Sequence, residues 1–248
     1  MLFDVHCHLN DRRFKGDLDD VVEKAKKAEV AIVNSTVELK EIAQALEYIS
    51  RYDNVYLTIG CSPTEVDREA IEKIMSEIRE NKGKIIGVGE VGLDYYWVKE
   101  GEKHEQQKKN FRRFIELSSE LKLPLIVHSR ESNRDILEIL KHHGKPALMH
   151  CFSGTVEEAK EFINLGCLIS IPTSLMHSKS KQDVAEAIPL DSIVLETDAP
   201  YLPPTPKTRN EPANVAVSAI RIAELKNVGV DVVKEATTRN AKNFFGIR

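Results

Sequence analysis

Eight short apolar runs alternate with amphipathic stretches roughly every 20 to 40 residues, and this period restricts the chain to repeated strand and helix units around a parallel sheet. Strands are predicted over 2–6, 30–35, 55–60, 84–89, 124–128, 147–150, 167–171 and 192–196. Helices are predicted over 18–28, 38–51, 67–81, 105–121 and 133–143, and two more, 213–226 and 232–245, close the chain. In the first helix Leu18, Val21, Val22 and Ala25 recur at helical spacing and supply one apolar face for a sheet. Eight such units in 248 residues fit one α/β domain over 1–248, a TIM (β/α)8 barrel with C-terminal helical additions. An open doubly wound sheet is the alternative, but it favours a Gly-rich phosphate loop after strand one, where this chain has His6-Cys7-His8.

Side chains alternate along a strand, so His6 and His8 face the same way and one segment offers two imidazoles to a metal ion. Barrel enzymes assemble their sites at the C-terminal ends of the strands. That rule brings Glu90 after strand four, His128 after strand five, His150 after strand six and Asp198 past strand eight to the same rim. About two inward slots at each strand end make about 16 places, where 8 histidines in 248 residues predict about half a histidine. Four histidines stand there.

Six ligands are too many for one tetrahedral ion and suit two, with one carboxylate bridging them. The spacing assigns His6, His8, Glu90 and Asp198 to the first ion, and His128 and His150 to the second, with Glu90 shared. Mixed nitrogen and oxygen donors favour zinc, manganese or cobalt, with magnesium less natural. Glu90 and Asp198 are the candidate catalytic carboxylates, Asp198 by orienting or deprotonating the attacking water. Arg130, two residues beyond His128, is a forked donor for a phosphate or carboxylate. Arg209 and Asn210 precede Pro212 at a helix start and are candidates for holding an anion. Asp4 shares the predicted inward face of strand one, either to orient a ligand or to pack near the barrel floor. His104, His142, His143 and His177 fall in predicted helices or loops and read as solvated or capping groups.

Charged residues make up 30% of the chain and apolar ones 42%, the balance of a globular protein rather than a disordered one. There is no basic, apolar leader and no apolar run approaching the roughly 18 residues that span a bilayer, so a cytoplasmic protein without a membrane partner is expected. The net charge of −4 disfavours a broad basic platform for nucleic acid, and a local metal pair would dominate instead. Cys7, Cys61, Cys151 and Cys167 lack C-x-x-C spacing and read as reduced, packed thiols. No obligate protein partner is expected.

Several blocks of six or more residues carry a likeness that H-x-H alone does not. They include Phe3-Asp4-Val5-His6-Cys7-His8-Leu9, Val88-Gly89-Glu90-Val91-Gly92-Leu93-Asp94-Tyr95-Tyr96, and Pro124-Leu125-Ile126-Val127-His128-Ser129-Arg130. His150-Cys151-Phe152-Ser153-Gly154, Glu196-Thr197-Asp198-Ala199-Pro200-Tyr201-Leu202 and Arg209-Asn210-Glu211-Pro212 follow in order. Together they resemble the TatD family of metal-dependent deoxyribonucleases. The resemblance implies a TIM barrel of the amidohydrolase superfamily, a divalent metal pair, and hydrolysis of DNA phosphodiesters, often from the 3′ end. It also carries His6, His8, Glu90, His128, His150 and Asp198 as ligands. The chain departs from the family where many relatives have G-x-H-P and it has Gly60-Cys61-Ser62-Pro63, and where Ala199 replaces a frequent serine. Some members are associated with removing D-amino acids from tRNA, so an amidohydrolase or deacylase is the rival enzyme. An inactive barrel that binds nucleic acid or metal is the non-enzyme rival.

Overall fold

All eight runs form strands that pair in parallel in sequence order, as the strand and helix period requires. The strands of this computed structural model, which describes residues 1–65 and 67–247, are β1 (Leu2–Cys7), β2 (Val30–Thr36), β3 (Val55–Ile59), β4 (Gly87–Asp94), β5 (Leu125–Arg130), β6 (Leu148–Met149), β7 (Leu168–Pro172) and β8 (Ile193–Glu196). Helices α1 (Leu18–Lys27), α2 (Ile42–Arg51), α3 (Arg68–Glu80), α4 (Gly101–Leu121), α5 (Asn133–His143), α6 (Val156–Asn164) and α7 (Lys179–Ala187) connect them, and α8 (Val215–Lys226) and α9 (Val230–Phe245) follow. The result is a TIM barrel. Among the described residues no helix is long and apolar enough to cross a membrane.

Two layers of apolar side chains follow from strand alternation. One face of the strands packs on the helices, while Val5, Val33, Tyr56, Ile126, Leu148 and Val194 point into the lumen above Ala241 and Phe245 of α9. Two residues further along the same strands the inner positions turn polar. Ile126 is followed by His128 and Arg130, Leu148 by His150, Leu168 by Ser170, and Val194 by Glu196 and Asp198. The apolar floor and polar rim are thus consecutive positions on one face of these strands.

The element boundaries differ from expectation at instructive places. β4 begins at Gly87 and runs to Asp94, so Glu90 lies within the strand and Lys84 ahead of it. Pairing jumps from Val88 opposite Leu125 to Val91 opposite Val127, so β4 carries one extra residue around Glu90. β1 does the same between Asp4, opposite Ile32, and Cys7, opposite Asn34. Such bulges re-aim side chains beside active sites. Here Phe3 and Val5 belong to the inner cluster, and the extra residue brings His6 onto that face too. Asp4 therefore does not share the face of His6 as strict alternation predicts.

Asp4 instead closes the barrel. Its carboxylate, fully buried, accepts hydrogen bonds from the Thr197 amide (2.7 Å) and hydroxyl (2.5 Å). Burial pushes its carboxyl well above the usual range, partly offset by those two bonds. Beside it the Asp198 amide donates to the His6 carbonyl (2.9 Å) and the His8 amide to that of Ala199 (2.7 Å), joining β1 to the end of β8. The cysteines are free thiols, with Cys7, Cys61 and Cys167 buried.

Candidate metal centre

Glu90 stands at the middle of a ring of imidazoles. Its Oε2 lies 3.1 Å from His150 Nε2, 3.5 Å from His128 Nδ1 and 3.7 Å from His6 Nε2. That oxygen is buried and has no hydrogen-bond partner among the described residues. Beside it His6 Nε2 and His8 Nε2 sit 3.3 Å apart, and Asp198 Oδ1 lies 3.3 Å from His8 Nε2. The His6 ring stacks on His150 at 3.6 Å between centroids. Donor atoms of His6, Glu90 and His150, and of His6, His8 and Asp198, each lie within 4.8 Å of one another. A carboxylate oxygen with no hydrogen-bond partner among the described residues, and imidazole nitrogens converging on it, are what cation ligands look like, and nitrogen with oxygen donors fits a transition or zinc ion.

Glycines bring these groups together. A Cβ on Gly60, just past β3, would stand 2.1 Å from the Glu90 carbonyl oxygen, and one on Gly92 would meet the His128 carbonyl at 2.0 Å. Gly92 also has φ of +151°, which a side chain rarely allows. The Cys61 amide then donates to the Glu90 carbonyl at 2.9 Å, locking the bulge against β3.

Two carboxylates unassigned by the sequence orient the imidazoles. Glu196, fully buried, accepts from Ser170 Oγ (2.6 Å) and faces His150 Nδ1 at 3.0 Å, which leaves His150 Nε2 toward Glu90. Asp94 Oδ2 faces His128 Nε2 at 3.0 Å, so His128 turns Nδ1 inward. Holding one ring nitrogen with an acceptor fixes which nitrogen presents its lone pair. Alternation was a usable signal for Glu196, two residues before Asp198. Asp94 carried the same signal, since it is the last residue of β4, two beyond Gly92, which pairs with His128, and four beyond Glu90.

Burial opposes charge on all these groups, and their mutual contacts override it for most. Burial lowers His6 well below its ordinary pKa, with His150 repelling it further. Against the same burial, the hydrogen bond and charge of Asp198 lift His8 to about 9, and Asp94 and Glu90 lift His128 to about 10. Glu90 is held well below the carboxylate range because His150, His128 and His6 outweigh its desolvation. In the metal-free protein His8 and His128 therefore carry protons at neutral pH, and an incoming ion must displace them. Ion loading at pH 7 is expected to release protons, with affinity rising as pH approaches 9 to 10. Calorimetric titration in two buffers of unlike ionisation enthalpy reads this directly; identical heats in both would contradict it.

The three substrate-binding candidates separate. Arg130 Cζ lies 3.8 Å over the Tyr96 ring, and among the described residues the guanidinium forms no ion pair. Arg209 is engaged instead: it donates to Asp17 (2.6 and 2.8 Å), Glu211 (3.1 Å) and the Arg13 carbonyl (2.7 Å). Asn210 is fully buried, its Nδ2 within 2.8 Å of Thr173 Oγ1 and the Thr197 and Tyr201 carbonyls. Both anchor the loop after β8 rather than face an anion. Ser62 turns its hydroxyl to Thr64 Oγ1 at 2.8 Å, away from the imidazoles. His104 and His177 bond the Val98 and Pro203 carbonyls at 2.7 and 3.1 Å, and His142 and His143 occupy the last turn of α5.

Imidazoles and carboxylates gathered at the C-terminal rim of an eight-stranded barrel, around an oxygen without a donor, define a metal-dependent hydrolase. Similarity to known proteins narrows the class. The TatD related DNase family matches residues 3–246. An uncharacterised metal-dependent hydrolase of Methanocaldococcus jannaschii is 39% identical over 98% of this chain and 96% of its own. A Homo sapiens protein named a deoxyribonuclease is 37% identical over 98% and 94%. The crystal structure of a TatD homologue from Escherichia coli superposes with a TM-score of 0.92 at 26% identity, covering 100% and 98%. The chain belongs to the TatD family of metal-dependent hydrolases.

Proposed function

We propose that the protein is a deoxyribonuclease that hydrolyses DNA phosphodiester bonds, trimming from the 3′ end, with two divalent ions. The observation that carries this reading is Glu90 Oε2, buried among three imidazole nitrogens at 3.1–3.7 Å and without a hydrogen bond among the described residues, an environment suited to a bridging ligand. The activity named for the human relative supplies the substrate class. His6, His8, Glu90 and Asp198 would hold one ion, and His128 through Nδ1 and His150 through Nε2 would hold the other, with Glu90 available to both.

When bound, such ions supply Lewis-acid charge, making water a nucleophile near neutral pH and neutralising phosphate oxygens. The remaining work falls to the chain. Asp198 Oδ2, the oxygen not facing His8, takes the proton of the attacking water. Glu196 and Asp94 hold protons on His150 Nδ1 and His128 Nε2, so the opposite nitrogens stay free. Arg130, which forms no ion pair among the described residues, offers its N–H edges to a phosphate oxygen.

The metal-loaded protein given labelled single- and double-stranded DNA, RNA and a D-aminoacyl-tRNA is expected to shorten DNA stepwise and to stop with EDTA. Intact DNA beside a hydrolysed aminoacyl ester would overturn the reading in favour of a deacylase. Arg130→Ala should lower kcat/KM roughly 100-fold, the scale for losing one charge-stabilising donor. Arg209→Ala should instead lower the melting temperature and leave kcat unchanged.

A further inference from the structure

The turn after β4 presents the one tryptophan of the chain to solvent beside the metal centre. Trp97 is 67% exposed and Tyr96 41%. Leaving an indole this open forgoes a large hydrophobic gain, and a single exposed aromatic would need no explanation. This one is built. Asp94, whose Oδ2 faces His128, takes the Tyr96 and Trp97 amides on its Oδ1 at 3.0 and 2.8 Å. The same carboxylate thus fixes an imidazole of the centre and the aromatic pair.

Tyr96 packs edge-to-face on Trp97 with centroids 4.9 Å apart and planes at 85°, and Arg130 Cζ lies 3.8 Å over Tyr96 and 5.5 Å from the Trp97 ring. Tyr96 and Arg130 also line an open cleft of about 980 Å³ bounded by Asn133 of α5 and Val156 of α6. An open indole face braced by a guanidinium that forms no ion pair among the described residues matches a strand of nucleic acid, whose bases stack on aromatics while its phosphates meet arginine. The other aromatic at the rim is different. Tyr201, 6.1 Å from His8, is covered by Arg13, but Arg13 is clamped by Asp11 at 2.7 and 2.8 Å and Tyr201 bonds the same carboxylate.

We propose that Trp97, braced by Tyr96 and Arg130, is a binding subsite for one unpaired nucleobase of the strand being cut, next to the phosphate at the metal centre. This rests on the nuclease reading above. A base inside a duplex has both faces covered by its stacked neighbours, so the subsite accepts frayed or single-stranded ends.

Because Trp97 is the sole tryptophan, its fluorescence reports the subsite without reference to turnover. The metal-loaded protein is titrated with a phosphorothioate oligothymidylate, which resists cleavage, and with a phosphorothioate strand of equal length lacking bases. Strong quenching by the first and little by the second is expected. Trp97→Ala should raise KM for DNA roughly 5- to 100-fold, the scale of one base stacked on an aromatic, and Trp97→Phe should restore part of it. Equal quenching by both strands, no quenching by either, or an unchanged KM in Trp97→Ala would overturn the subsite. Cleavage of DNA by the wild type alongside any of these leaves the nuclease reading standing. Base-dependent quenching with no cleavage sinks the nuclease reading alone.

Discussion

Glu90→Gln is expected to lower turnover about a thousand-fold or more, since a Lewis-acid ion contributes several kcal/mol and each factor of ten is about 1.4 kcal/mol. The replacement keeps the volume and removes the charge from the one oxygen that three imidazole nitrogens face within 3.7 Å. Elemental analysis should find fewer than two ions per chain, while the near-ultraviolet dichroism of the folded barrel persists. The metal-free proteins should differ in pH response as well. Glu90 titrates well below the ordinary carboxylate range, so its attraction for the charged imidazoles is present above about pH 4 and is lost as acid protonates it. Full ion content with undiminished cleavage would refute the bridging role.

Gly60→Ala should damage the same centre without touching a ligand. The added methyl would stand 2.1 Å from the Glu90 carbonyl oxygen and 2.6 Å from its amide nitrogen, both backbone atoms that no rotamer change can clear. Either β3 separates from β4 or the Glu90 peptide shifts, and the Cys61 to Glu90 hydrogen bond is lost in both cases. Overpacking of this kind costs about 1–3 kcal/mol, which for a chain of this size lowers the melting temperature by about 2–12 °C. Ion affinity should fall with it, because Glu90 carries its carboxylate on the displaced peptide. A melting temperature and ion content equal to wild type would show that the strands part at no cost.

Much of the barrel is readable because alternation and helical spacing are local. Val194 and Glu196 share a face whatever lies elsewhere in the chain, and the same holds for Ile126, His128 and Arg130. The rule fails at β1 and β4, where one extra residue shifts the pattern and brings His6, not Asp4, into the lumen. Neither bulge leaves a mark on hydrophobic periodicity, since both strands are buried throughout.

The chain alone thus determined eight strand and helix units, the family, and which strand ends carry imidazole and carboxylate. Tertiary structure decided what each polar group does. Arg130 and Arg209 are equal candidates as letters, yet Arg209 meets Asp17 from 192 residues away while the Arg130 guanidinium lies over the Tyr96 and Trp97 rings. Asp4 bonds Thr197 across 193 residues, and Glu196 selects the nitrogen that His150 turns inward across 46. A hydrogen bond depends on partners within about 3 Å in space, and sequence distance places no limit on who those partners are.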